Sequence, residues 1–201
     1  MTWDKYYIKD KLSITPLPGD IILFYHRTIN PISNLIIGGI RKVSRGLFNH
    51  AGIIGRNGKL YEMNPGGCEA VDFKKKYVNY NEGILILRNL KQTPEQLEII
   101  FAFLEGALGG GYSYADIWNF IFHTGGDSKH RFCSELVTEA ERKVNTEVSL
   151  RVTGDTAPHD LFDYQYKTPE GCFNSKDTWV IAGSQNLNIP ALLEFEKKKW
   201  K

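Results

Sequence analysis

The chain has 201 residues, of which 42% are hydrophobic, 12% aromatic and 24% charged, with a formal net charge of +2. That length buries most of the surface an unfolded chain exposes, so no disulfide or metal staple is needed, and the composition is globular, not disordered. So small a net charge excludes a general pull toward nucleic acid or an anionic membrane, and no run approaches the roughly 18 apolar residues of a transmembrane helix.

The first residues, Met1 to Tyr7, lack the apolar core of a signal peptide. Pro18-Gly19 is a turn that launches an apolar strand from Ile21 to Tyr25. Residues 31–44 place Ile32, Leu35, Ile36, Ile40 and Val43 at helical spacing, weakened by Gly38-Gly39. Phe48 to Gly55 reads as a strand, Arg56-Asn57-Gly58-Lys59 as a turn, and Leu60 to Met63 as the return strand. Lys74-Lys75-Lys76, like Lys197-Lys198-Lys199 further on, is read as solvated surface. Ile84 to Leu87 is a short, wholly apolar strand suited to a sheet centre.

Thr93-Pro94-Glu95-Gln96 combines an N-cap, a first-turn proline and a capping-box glutamine. A helix is expected from there to about Leu108, stopped by Gly109-Gly110-Gly111. Tyr114 to Phe122 reads as an aromatic helix leading to a further helix around Cys133. Beyond Pro158, residues 178–182 are expected to add an edge strand and residues 190–199 a terminal helix. No repeat, low-complexity tract or linker interrupts the chain, so one α+β domain over residues 1–201 is expected.

Chemistry concentrates in Arg131-Phe132-Cys133-Ser134-Glu135-Leu136-Val137. From Phe132 onward, Leu136, Val137 and Ala140 recur at helical spacing, which sets Cys133 in a first turn. Unpaired backbone N–H groups and the positive end of the helix dipole favour thiolate over thiol there. The alternative is a small buried apolar residue, as free cysteines often are.

The hairpin supplies a partner, and its register decides which. A two-residue loop at Asn57-Gly58 pairs Ile53 with Glu62 and sends His50 to the opposite face. A three-residue loop, with Gly58 left-handed, makes His50 and Glu62 diagonal neighbours on one face, roughly 7–8 Å apart at the backbone. Cooperation between imidazole and carboxylate demands the second register, which is expected.

Other conspicuous residues carry plainer readings. Gly109-Gly110-Gly111 is no phosphate loop, since no lysine and Ser/Thr pair follows at the proper spacing. His123, His130 and Cys133 match no regular structural zinc spacing, so neither metal nor cofactor is expected. His26 and His159 read as surface or hydrogen-bonded structural groups. Tyr112, Tyr114, Trp118, Phe120 and Phe122 read first as core. Tyr114 and Trp118 are nevertheless the candidates to line a cleft, placed as they are between Gly111 and Cys133. The three cysteines, Cys68, Cys133 and Cys172, are odd in number and unpaired in spacing, which favours a reducing compartment. With no signal peptide recognisable, a cytoplasmic protein is expected.

Pro18-Gly19-Asp20-Ile21-Ile22-Leu23, Asn49-His50-Ala51-Gly52-Ile53, Tyr61-Glu62 and Phe132-Cys133-Ser134-Glu135-Leu136-Val137, in that order, resemble the permuted branch of the NlpC-type papain-like hydrolases. That branch includes the YiiX/YebB-like bacterial proteins and, more distantly, lecithin retinol acyltransferase. Pro158-His159-Asp160-Leu161 also resembles the family, so the likeness spans about residues 16–163 and leaves 164–201 as an extension of unassigned role. In papain the cysteine precedes the histidine; in this branch, as here, the order is reversed. The resemblance implies a circularly permuted papain-like fold, an antiparallel sheet or partial barrel packed against the helix that carries the nucleophile.

It also implies a thiol-dependent hydrolase with Cys133 as nucleophile, His50 as base and Glu62 in the orienting position. The backbone N–H of Cys133 is the expected oxyanion donor. An amide or peptide bond of a small amino-acid-like or peptide substrate is the leading target. Lipid acyl transfer or ester hydrolysis is the second reading. A binding module on the same fold is a third, of a different class.

Overall fold

The computed structural model describes residues 6–25, 46–64, 66–77, 82–110, 133–144, 157–162 and 179–199. Six strands form one antiparallel sheet: β1 (Ile21–Tyr25), β2 (His50–Ile54), β3 (Lys59–Asn64), β4 (Gly67–Asp72), β5 (Gly83–Asn89) and β6 (Trp179–Gln185). Their spatial order is β4-β3-β2-β1-β5-β6, open at both edges. Among the described residues, four α-helices accompany it: α1 (Phe73–Tyr77), α2 (Pro94–Ala107), α3 (Cys133–Arg142) and α4 (Ile189–Lys199). The architecture is α+β, and the sheet does not close into a barrel.

Alternation along the strands splits the interior in two. Ile21, Leu23, Ala51, Ile53, Met63 and Leu85 face the larger core, which Leu104 of α2, Leu136 and Val137 of α3, and Leu192 of α4 complete. Ile22, Phe24, Ile54, Leu60, Ile84 and Ile86 face the other way, against Phe73 and Tyr77 of α1. Both faces being covered explains why β1 and β5 read as unbroken apolar runs instead of alternating ones.

Each boundary has a local cause. The Thr93 hydroxyl accepts from the Gln96 backbone N–H, and the Gln96 side chain accepts from the Thr93 backbone N–H. With Pro94 opening the helix, the expected capping box is in place and α2 ends at Ala107. The glycines that follow do more than stop it. Cys68 donates its backbone N–H to the Gly110 carbonyl and accepts from the Gly109 N–H, which ties the helix end to edge strand β4. Gly67, at φ +111°, allows that approach, since a Cβ there would stand 2.6 Å from the Gly110 oxygen.

At the start of β1, Asp20 accepts two bonds from Arg88, at 2.8 and 2.7 Å, and one from the Leu17 backbone N–H. Buried Asp20 thus fastens the Pro18-Gly19 turn to β5. Strand β5, read as central, is interior but second from the edge; β6, expected as an edge strand, takes the edge. Strand β4 and helix α1 were not anticipated: residues 67–77 mix small, acidic and basic side chains, and no single periodicity stands out. The expected helices at 31–44 and 114–122 lie outside the described residues.

Candidate functional site

The turn between β2 and β3 sets the site. Ile54 pairs with Leu60, and the Gly55 N–H bonds to the Lys59 carbonyl, which leaves the three-residue loop Arg56–Gly58. Gly58 takes the left-handed conformation at φ +71°. The ladder then pairs Gly52 with Glu62, so His50 and Glu62 are diagonal neighbours on the face that Leu60 and Phe24 share. Their side chains meet, with His50 Nε2 2.7 Å from Glu62 Oε2.

His50 opens β2, so its ring stands at the end of the strand. Helix α3 packs on β2 and β3 from the opposite face and begins there with Cys133. The Cys133 side chain is the neighbour whose charge and hydrogen bonding act most strongly to raise the pKa of the imidazole. His50 thus has Glu62 as a hydrogen-bond partner and Cys133 as an electrostatic one.

The electrostatics follow from burial and partners. Glu62 is wholly buried, and His50 is 8% exposed. Burial alone lowers the His50 pKa. The charge and hydrogen bond of Cys133, followed by those of Glu62, outweigh it and raise the value from 6.5 to about 10. For Glu62, burial pushes upward, but the bonds and charges of His50 and Lys76 hold it near 2, below its ordinary 4.5. The proton of the pair belongs to the imidazole.

Two partners of Glu62 escape a reading of the sequence. Lys76 Nζ lies 2.8 Å from Glu62 Oε1 and 2.7 Å from Glu69 Oε1. The Tyr77 hydroxyl lies 2.8 Å from Oε2 and 3.0 Å from Oε1. Lys76, read as solvated surface within the Lys74–Lys76 run, thus reaches a buried carboxylate; burial lowers its pKa, but Glu62 and Glu69 raise it further. The signal in the sequence is Phe73 and Tyr77, four apart around the lysines, which marks one helical turn with both rings inward.

His159 is buried and structural. Its Nδ1 accepts the Leu47 backbone N–H at 3.1 Å, and its ring stacks on Phe48 at 5.5 Å. Tyr114, Trp118, His26, His123, His130 and Cys172 lie outside the described residues.

No family model matches the chain. One curated protein, the "Probable lipoprotein peptidase YaeF" of Escherichia coli (strain K12), is 27% identical over 155 residues. That stretch covers 61% of this chain and 56% of the relative, so the match spans little more than half of that protein's length. Among solved structures, metalloprotein YiiX from Escherichia coli O157:H7 matches at a TM-score of 0.50 and 20% identity, covering 67% of this chain and 70% of that one. The fold is YiiX-like. Sequence relative and structural neighbour together support the YiiX-like, permuted NlpC-type papain-like superfamily.

YiiX is named a metalloprotein, and its metal is a property of that protein. Among the described residues of this YiiX-like chain, no three His, Cys, Asp or Glu side chains gather into a ligand set. Glu62 Oε1 is already held by the Lys76 ammonium, which would repel a cation. No described helix is long and apolar enough to cross a membrane.

Proposed function

We propose that the protein is a thiol-dependent hydrolase that cleaves an amide or peptide bond of a small amino-acid-like or peptide substrate. The observation that carries this reading is His50, held between the Cys133 side chain and the buried Glu62 carboxylate. A relative named as a peptidase supports the class of reaction.

In the proposed cycle His50 holds the thiol proton and Cys133 attacks the carbonyl carbon as thiolate. A C–S bond forms, and the carbonyl electrons move onto oxygen. The backbone N–H of Cys133, the first residue of α3, is the proposed oxyanion donor. Collapse breaks the C–N bond; the leaving amine takes the proton from His50, and the acyl group stays on sulfur. His50 then takes a proton from water as its oxygen attacks the thioester, which releases the acid and restores the thiol. Glu62 orients the ring and stabilises its cationic form throughout.

Labelling with iodoacetamide at about pH 6, where ordinary thiols are protonated, tests the nucleophile. Peptide mapping is expected to find Cys133 modified ahead of Cys68 and Cys172. Faster labelling at either of the others would overturn the assignment. A screen of amino-acid amides, cell-wall peptides and phospholipids tests the substrate class. Turnover confined to phospholipids would replace amide hydrolysis by acyl-ester chemistry, and Cys133-independent turnover would remove the mechanism.

A further inference from the structure

Glu62 is wholly buried, so its neighbours, not bulk water, decide where its two oxygens point. Lys76 pulls on Oε1 with a charged bond and is itself drawn outward by Glu69 on edge strand β4. That pull acts on the oxygen His50 does not use. Left unopposed, it would turn the carboxylate away from the ring.

The Tyr77 hydroxyl is placed to oppose it. It lies 2.8 Å from Oε2, the oxygen 2.7 Å from His50 Nε2, and 3.0 Å from Oε1. A phenol carries one proton and no charge, so it fixes the plane of the carboxylate without weakening the attraction between Glu62 and His50. The tyrosine ring is itself held: its centroid is 4.5 Å from that of Phe24, which stands 5.5 Å from the His50 ring. Tyr77, Phe24 and His50 thus form one packed row on the site face of the sheet.

We propose that Tyr77 is a positioning residue of the Cys133-His50-Glu62 site, its hydroxyl holding Glu62 on His50 against the competing pull of Lys76. The proposal rests on the functional reading above. The charged or titratable groups that face the pair include Cys133 from α3, Lys76 and Tyr77 from α1, and, through Lys76, Glu69 from β4.

The test uses the full chain and iodoacetamide, with labelling of Cys133 followed by peptide mapping across pH. Tyr77→Phe keeps the ring packing and removes only the hydroxyl, so its melting temperature should stay close to wild type. Its Cys133 should label roughly 3- to 30-fold more slowly at about pH 6, with the midpoint of the pH profile moved upward. Adding Lys76→Gln to Tyr77→Phe should recover most of the rate, because the competing pull is gone; a merely structural tyrosine would show no such recovery. Tyr77→Phe that labels like wild type, or a double variant no faster than Tyr77→Phe, would overturn the proposal while leaving the functional reading intact. Wild-type protein in which Cys133 is not the fast thiol, or is indifferent to Glu62→Gln, would overturn both.

Discussion

At the scale of single residues, the informative position is Glu62. A buried carboxylate without partners would be neutral, and this one is held ionised first by the hydrogen bond and charge of His50 and then by those of Lys76. Glu62→Gln leaves a side-chain oxygen that can still accept from the ring, so its loss should come mainly from charge. We expect kcat/KM to fall by roughly 10- to 1,000-fold, or about 1.4–4 kcal/mol of transition-state stabilisation. Glu62→Ala should be worse, since orientation is lost as well, and Cys133→Ala should abolish covalent turnover without unfolding the protein. Steady-state kinetics on the substrate found by the screen, with thermal melts as control, decide the matter. Near wild-type kcat/KM in both Glu62 variants would make it a bystander.

At the scale of elements, the hairpin turn is the component whose failure is most specific. Gly58 sits at φ +71°, and a Cβ added there would meet nothing within 4 Å, so space is free and only the backbone conformation resists a side chain. Gly58→Ala should therefore cost only about 1–2 kcal/mol, read as a lowered midpoint in urea, with activity retained. Deleting Asn57 is a different experiment. It leaves a two-residue loop, Arg56 and Gly58, between Gly55 and Lys59, so the ladder that pairs Gly52 with Glu62 can stand while the turn loses its three-residue geometry. The expected outcome is a folded protein, judged by circular dichroism, with a lowered urea midpoint, whose Cys133 still labels ahead of Cys68. Slow labelling of Cys133 after that deletion would mean that the pairing of His50 with Glu62 needs the three-residue turn itself. The same element scale explains the reading of Lys76. A lysine run is ordinarily solvated, but α1 is only five residues long, and its fourth and fifth residues, Lys76 and Tyr77, bring their polar atoms onto Glu62 of β3.

At the scale of the whole molecule, remote segments are fastened by close approaches. A Cβ on Gly46 would overlap the ring of His159, whose Nδ1 holds the neighbouring Leu47 N–H. Gly46→Ala should displace that ring and destabilise the fold by about 2–3 kcal/mol, measurable by thermal or urea unfolding. An unchanged stability would show that the 157–162 segment can move aside.

The pH dependence of stability also belongs here. The folded-state pKa of Glu62 is below its ordinary 4.5, so its contribution is complete above that value and lost as pH falls toward about 2. That of His50 is above 6.5, so its contribution is complete below that value and lost as pH rises toward about 10. The stability gap between wild type and Glu62→Gln should thus narrow on acidification below about 4.5, and that between wild type and His50→Asn should narrow above about 6.5. Paired melts across pH test both signs; a gap that widens in either window would mean the pair is not held as described.

Much of this was legible in the chain, and the reason is locality. A capping box at Thr93 to Gln96, apolar runs in β1 and β5, and a glycine placed for a three-residue loop act over a few positions. The register of His50 against Glu62 follows from loop length alone, although two lengths were compatible with the composition. What the sequence could not express is which distant groups share a buried space. Cys133 reaches His50 only because α3 packs on β2 and β3 and begins at the strand end. Lys76 and Tyr77 became partners of Glu62 because α1 folds back over the sheet face. His159, read as surface or structural, is buried because residue 47, 112 positions earlier, donates to it. Local propensity is set by neighbours in sequence, whereas the ionisation of a buried carboxylate is set by neighbours in space. Sequence therefore determined the elements with a clear local pattern and narrowed the register to two, and tertiary packing decided what holds the charge.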